Sequence, residues 1–134
     1  MPKNLLVQKS SISGKGVFAA RDYRKGEVVV KWDLSKIISK SQAKKLSEED
    51  KKFLVKHNGK YILMQAPAKF VNHSCDANTM AQNFCYVAKR DIKIGEEITT
   101  DYSETMSEND SFDCKCKSPN CKKKIVPKSQ ALAP

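Results

Sequence analysis

Asn72-His73-Ser74-Cys75-Asp76-Ala77-Asn78 is the stretch on which the reading of this chain turns, taken together with Cys114-x-Cys116-x₄-Cys121 near the C-terminus. One thiolate far upstream and a tight group of three are enough to close a tetrahedral zinc site through Cys75, Cys114, Cys116 and Cys121. Such a site pins the C-terminal segment against the residues beside Asn72 and His73. A Cys-x-Cys pair is too short for a comfortable disulfide and the total of five cysteines is odd, so metal ligation explains the spacing better than oxidation. Cys85 is left over, inside the strand-like run Phe84-Cys85-Tyr86-Val87-Ala88, and reads as a small buried hydrophobe.

With 134 residues, 40% of them hydrophobic, the chain has room for one domain with one core. No apolar run approaches a membrane span and the N-terminus lacks a signal-peptide pattern, so an intracellular protein, nuclear or cytoplasmic, is expected. The net charge of +10 is almost all lysine, the only arginines being Arg21, Arg24 and Arg90. Lysine is a solvated point charge and base reading favours the arginine fork, so a solubilising surface is the plain interpretation. A weak nucleic-acid contact through that surface and a homodimer stay open beside it. Between Gly95 and Asp113 stand seven acids and no lysine or arginine. A locally acidic lip on a basic body suits a basic peptide.

The first third has the grammar of hairpins. Leu5-Leu6-Val7, Val17-Phe18-Ala19-Ala20 and Val28-Val29-Val30 are separated by Ser10 to Gly16 and by Lys25-Gly26. Over residues 41–56 the period changes. Ser41 and Ser47 can each cap a helix, with Leu46, Phe53 and Leu54 as an apolar face, so one or two short helices are expected before Asn58-Gly59. Strands return in Lys60 to Met64, Phe84 to Ala88 and Ile98 to Tyr102. Residues 103–113 read as polar linker. The class is mostly β, with several short strands and little helix.

Taken singly, Gly14-Lys15-Gly16 is a turn, Gly95-Glu96-Glu97 another, and His57, His73 and Trp32 are structural side chains. Taken in order, Gly-x-Gly, Asn-His-Ser-Cys-x-x-Asn, Gly-Glu-Glu-Ile-x-x-Asp-Tyr and Cys-x-Cys-x₄-Cys resemble the SET-domain protein lysine methyltransferases, over roughly residues 5–126. The likeness is to minimal, free-standing SET proteins. It implies a SET domain at 1–102, a linker and post-SET zinc-binding segment at 103–126 and a flexible tail at 127–134, with a SET fold of short twisted sheets and a knot-like C-terminal crossing.

By position, the resemblance makes Ser13, Gly14, Lys15, Asn72 and His73 the binding stretch for S-adenosylmethionine, with Ile125 over the adenine. It makes Tyr102 the catalytic tyrosine, Tyr61 and Thr100 linings of the lysine channel, and the four cysteines the ligands of a structural zinc. The implied activity is methyl transfer from S-adenosylmethionine to a lysine of a basic protein, a histone or another nucleic-acid-associated protein. The alternative is a non-catalytic SET-like module that binds peptide or nucleic acid. Tyr102, Asn72 and His73 together favour catalysis, since a pure binder has no use for all three. A compact zinc finger does not fit, because Cys75 lies about forty residues upstream of its partners. Ala77 stands where the family often has proline, Lys117 where it has glycine, and Thr100 where it commonly has an aromatic residue that influences how many methyl groups are added.

Overall fold

The structure, a computed structural model, describes residues 4–106, 112–113, 121 and 124–125. Its strands are β1 (Leu5–Lys9), β2 (Lys15–Ala19), β3 (Val28–Lys31), β4 (Ile37–Ile38), β5 (Leu54–His57), β6 (Lys60–Leu63), β7 (Asn72–His73), β8 (Thr79–Gln82), β9 (Cys85–Ala88), β10 (Glu97–Thr100), β11 (Phe112–Asp113) and β12 (Lys124–Ile125). Two short helices, α1 (Lys40–Lys44) and α2 (Glu48–Lys51), and single 3₁₀ turns at Leu34–Lys36, Ala68–Phe70 and Tyr102–Glu104 are the helical elements among the described residues. The expected class, mostly β with two short helices, is what the chain adopts. Among the described residues no helix is long and apolar enough to cross a membrane.

The largest sheet runs β1-β2-β10-β8-β9-β3. Its centre is β10, which divides its partners. Glu97 and Ile98 pair antiparallel with Phe18 and Val17 of β2, while Thr99 and Thr100 pair parallel with Asn72 and His73 of β7. Thr100 also meets Thr79 of β8. Ile98, Thr99 and Thr100 are all buried, as befits a strand covered on both faces. Val17, Ile62, Val71, Ile92 and Ile98 are fully buried aliphatic side chains of a core completed by Tyr23, Val30, Trp32 and Tyr86. Each such side chain contributes about 1.5–3 kcal/mol through burial.

A second sheet, β4-β6-β5, corrects the helix expected up to residue 56. Asn58 and Gly59 have φ of 50° and 76°, the conformation of a tight hairpin turn, and they fold β5 back onto β6 with His57 opposite Lys60. The turn and the β-branched Val55 outweigh the helical spacing of Leu46, Phe53 and Leu54. α1 is capped by Ser39 in place of Ser41. The Ser39 hydroxyl accepts from Gln42 N–H and the Gln42 side chain accepts from Ser39 N–H. α2 starts at Ser47, as its sequence signals. Cys85 is half-buried at the start of β9, less enclosed than expected.

Candidate active site

A cavity of about 400 Å³ opens between the end of α2, β5 and the chain that follows β10. Phe53, Val55, Met64, Val71, Tyr86 and Tyr102 are among the residues that line it. The surface is largely apolar, with convergent polar groups where Tyr102 stands, the usual composition of a small-ligand or side-chain pocket.

Tyr102 is placed by the residues on either side of it in sequence and by β7. Asp101 caps a 3₁₀ turn over residues 102–104, its carboxylate accepting from Ser103 N–H at 3.0 Å and from the Ser103 hydroxyl at 2.7 Å. The sequence reading extended the strand to Tyr102; the cap ends it two residues earlier. Tyr102 N–H donates to His73 Nδ1 at 3.0 Å, and the two rings lie 5.4 Å apart. The Tyr102 hydroxyl donates to the Val71 carbonyl at 2.5 Å. Burial, reinforced by the negative charge of Glu97, pushes the Tyr102 phenol well above the ordinary tyrosine range. Burial does the same to Tyr86, helped by Tyr102 and Glu104. Two neutral phenols therefore face the cavity at physiological pH.

His73 is buried and its tautomer follows from its contacts. Since Nδ1 accepts from Tyr102 N–H, the proton of the neutral ring sits on Nε2, which faces Cys75 Sγ at 3.4 Å. Asp101 Oδ1 lies 3.8 Å from Nδ1, a separation that becomes an ion pair only on protonation. Asn78, the last residue of the motif, is wholly structural. Its amide donates to the Glu97 carbonyl at 2.8 Å and accepts from Thr99 N–H at 2.9 Å, so it acts as one more residue of strand against β10.

Asn72 points toward the turn between β1 and β2. Its Nδ2 lies 3.1 Å from the Ser13 carbonyl, 3.1 Å from the Lys15 carbonyl and 2.8 Å from Glu97 Oε2. Three acceptors around one nitrogen define which end of the amide is which, and leave Oδ1 as its accepting end. Ser13, Gly14 and Lys15 are exposed, and the Lys15 ammonium sits over the Phe70 ring at 5.6 Å.

The other predicted residues are more dispersed. Thr100 is buried within the sheet and Tyr61 stands half-buried on β6 under the Lys56 ammonium, so neither forms the cavity wall. Ile125 is buried on β12 opposite Phe112. Cys75 and Cys121 are half-buried, while Cys114 and Cys116 lie outside the described residues. Among the described residues no three His, Cys, Asp or Glu side chains form a group able to hold a metal.

Sequence reasoning missed Phe53, Lys69 and Tyr86. Alternation in Phe84-Cys85-Tyr86-Val87-Ala88 put Tyr86 and Ala88 on one face, and this was the available signal. Lys69 gave none; its ammonium is held over Phe53 at 5.0 Å and Phe70 at 5.2 Å. Of the acids expected to form a lip, Glu108, Asp110 and the Asp113 side chain lie outside the described residues, and the four that are described have local partners. Glu96 accepts from Lys93 N–H, Glu97 from Ser10 and Asn72, Asp101 from Ser103, and Glu104 from Ala81 N–H, whereas the cavity carries Lys51, Lys52 and Lys69 beside Glu48.

A curled β domain in which a strand ending in a tyrosine turn runs beside an Asn-His segment, over an apolar cavity, defines the class. Residues 14–103 match the SET domain family, and the chain belongs to it. It is 32% identical over 141 residues to the variant-silencing SET domain-containing protein of Plasmodium falciparum, covering 89% of this chain and 6% of the relative. It is 29% identical to the histone-lysine N-methyltransferase set1 of Dictyostelium discoideum, covering 92% and 9%, and 28% identical to the human histone-lysine N-methyltransferase 2D, covering 90% and 2%. The chain thus spans less than a tenth of each of these relatives.

Proposed function

We propose that the chain is a protein lysine N-methyltransferase using S-adenosylmethionine, with a histone or another nucleic-acid-associated basic protein as substrate. The observation that carries this reading is the Tyr102 hydroxyl bonded to the Val71 carbonyl at the cavity, one residue from Asn72, whose amide is oriented by the Ser13 and Lys15 carbonyls. The names of the relatives that act on histones support it, as they support a nuclear setting.

The residues present fit the donor. A turn of exposed backbone at Ser13 to Lys15 and an asparagine with a defined accepting oxygen offer polar recognition beside an apolar cavity. When bound, S-adenosylmethionine supplies an electrophilic methyl group. The chain's own work is alignment and exclusion of water. Deprotonating a free lysine at pH 8 costs about 3 kcal/mol, and an apolar cavity lowers that cost by disfavouring the ammonium. With Tyr102 and Tyr86 held neutral, neither acts as a strong base, so the hydroxyls and the Val71 carbonyl orient the neutral amine. Ile125 would cover the adenine, and Tyr61 and Thr100 would serve the lysine channel from outside the wall of the cavity.

Zinc held by Cys75, Cys114, Cys116 and Cys121 fits the donor set, and His73 Nε2, 3.4 Å from Cys75 Sγ, would support one of those ligands from behind. Its contribution is to fasten residues 103–126 to a SET domain at 1–102, ahead of a tail at 127–134. Incubation with labelled S-adenosylmethionine and arrayed lysine peptides tests the proposal. The array includes histone tails and acidic-flanked lysines, because Lys51, Lys52 and Lys69 stand on the cavity. Methyl transfer to one peptide class is expected; no transfer to any peptide and no binding of S-adenosylhomocysteine refutes it.

A further inference from the structure

Glu97 belongs to the acid-rich run that reads as surface charge, yet both of its oxygens are engaged inside the fold. The Ser10 hydroxyl lies 2.7 Å from Oε1 and 2.9 Å from Oε2, and Asn72 Nδ2 lies 2.8 Å from Oε2. Ser10 is itself fixed at the head of the β1–β2 turn. Its hydroxyl accepts from Ile12 N–H at 2.9 Å and its N–H donates to the Gly14 carbonyl at 2.8 Å. The carboxylate therefore joins three segments that are distant in the chain, residues 10–16, Asn72 and β10.

Gly16 makes room for it. A Cβ at position 16 would stand 2.3 Å from Glu97 Oε2 and 2.9 Å from its Cδ, closer than real contacts allow, and 3.0 Å from Ser10 Cβ. Gly16 lacks a side chain because a carboxylate occupies that space, whereas Gly14, with φ of 43°, serves the turn itself.

We infer that Glu97 is a positioning residue of the methyl-donor pocket: it holds the Asn72 amide in the orientation that presents Oδ1 to the donor and clamps the Ser13–Lys15 turn beside it. The inference rests on the reading of Asn72 as a donor-binding residue. Of the three acceptors around Asn72 Nδ2, the carboxylate at 2.8 Å is the nearest and the only charged one, so it adds a charge-assisted bond to the hold of the Ser13 and Lys15 carbonyls.

The test is calorimetric titration of the full chain with S-adenosylhomocysteine, beside initial rates at saturating S-adenosylmethionine. Glu97→Ala is expected to weaken binding about tenfold to a hundredfold, the equivalent of one hydrogen bond to a charged group, while turnover at saturation holds. Glu97→Gln is expected to recover most of the affinity, since its Oε1 still accepts from Asn72. Gly16→Ala displaces the carboxylate and is expected to match Glu97→Ala. The double variant Gly16→Ala/Glu97→Ala is expected to lose less than the sum of the two single losses, because the nearest clashing group is gone and only the 3.0 Å approach to Ser10 Cβ remains. A folded Glu97→Ala with wild-type affinity, or additive losses in the double variant, overturns the inference. Should Glu97→Ala not fold, wild-type affinity in folded Gly16→Ala overturns it equally. A wild-type chain that binds no S-adenosylhomocysteine refutes the functional reading and this inference together; a wild-type chain that binds, beside variants that bind as well, refutes this inference alone.

Discussion

Replacing Tyr102 by phenylalanine removes one oxygen atom from the cavity and nothing from its volume. That oxygen donates to the Val71 carbonyl at 2.5 Å, so the substitution leaves a buried acceptor without its partner. The stability cost is about 1–3 kcal/mol, enough to lower Tm by several degrees in a chain of this size. If the same hydrogen bond orients the amine only at the transfer step, its loss slows turnover by about 5-fold to 150-fold, at 1.36 kcal/mol per decade. Donor affinity is expected to hold, because the groups assigned to it, Asn72 and the Ser13 and Lys15 carbonyls, are untouched. Initial rates with a methylated peptide substrate, calorimetry with S-adenosylhomocysteine and a thermal melt separate these effects. A rate equal to that of the wild type refutes the reasoning, and so does a loss of donor affinity parallel to the loss of rate.

The cysteines give a second expectation: one equivalent of zinc in the wild type, retained by Cys85→Ser and lost by Cys75→Ser, read by metal analysis of the purified variants. Loss from Cys85→Ser with retention by Cys75→Ser overturns the ligand assignment. His57 supplies a pH dependence. Burial lowers its pKa, with Glu104 opposing in part, so on acidification the unfolded chain takes up a proton before the folded one does. Stability conferred by neutral His57 is therefore present above the unfolded pKa of about 6.5 and falls as pH drops toward the folded value. Urea melts between pH 8 and pH 5 should show a decline that His57→Phe flattens, and identical slopes for the two proteins count against it. Ile98, fully buried in β10, predicts a loss of about 2–5 kcal/mol on Ile98→Ala, and a change under 1 kcal/mol in urea would mean that β10 is not the centre of the core.

The motif residues were legible because each has a local reason to exist. Gly14 takes a positive φ, Asn58-Gly59 reverses the chain, and Asn72 to Asn78 concentrates polar side chains where an apolar strand would otherwise be expected. What escaped was set by partners far away in the chain. Leu54 to His57 carries a weak helical spacing and becomes a strand because β6 is waiting beside it. Phe53, Lys69 and Tyr86 come from three elements that only the tertiary fold brings to one cavity. Glu97 looked like one more solvated acid, since nothing near it in sequence announces that Ser10 and Asn72 will surround it. Trp32 and His57 kept their structural reading; their rings pack edge to face at 5.0 Å, with Phe84 and Tyr86 against them.

The divided allegiance of β10 has a consequence for the life of the chain on the ribosome. Ser10 waits 87 residues for Glu97, Ser13 waits 59 for Asn72, and Val71 waits 31 for Tyr102. Closing loops of that length before any contact rewards them makes for slow folding, and until residue 102 has emerged the Val71 carbonyl lacks its hydroxyl partner. Until β10 emerges, the nascent chain therefore exposes β2, with Val17 and Phe18 turned toward an absent neighbour. Lysines scattered along the first ninety residues, Lys9, Lys15 and Lys31 at the ends of strands among them, keep such unfinished chains repelling one another until β10 arrives to close the sheet.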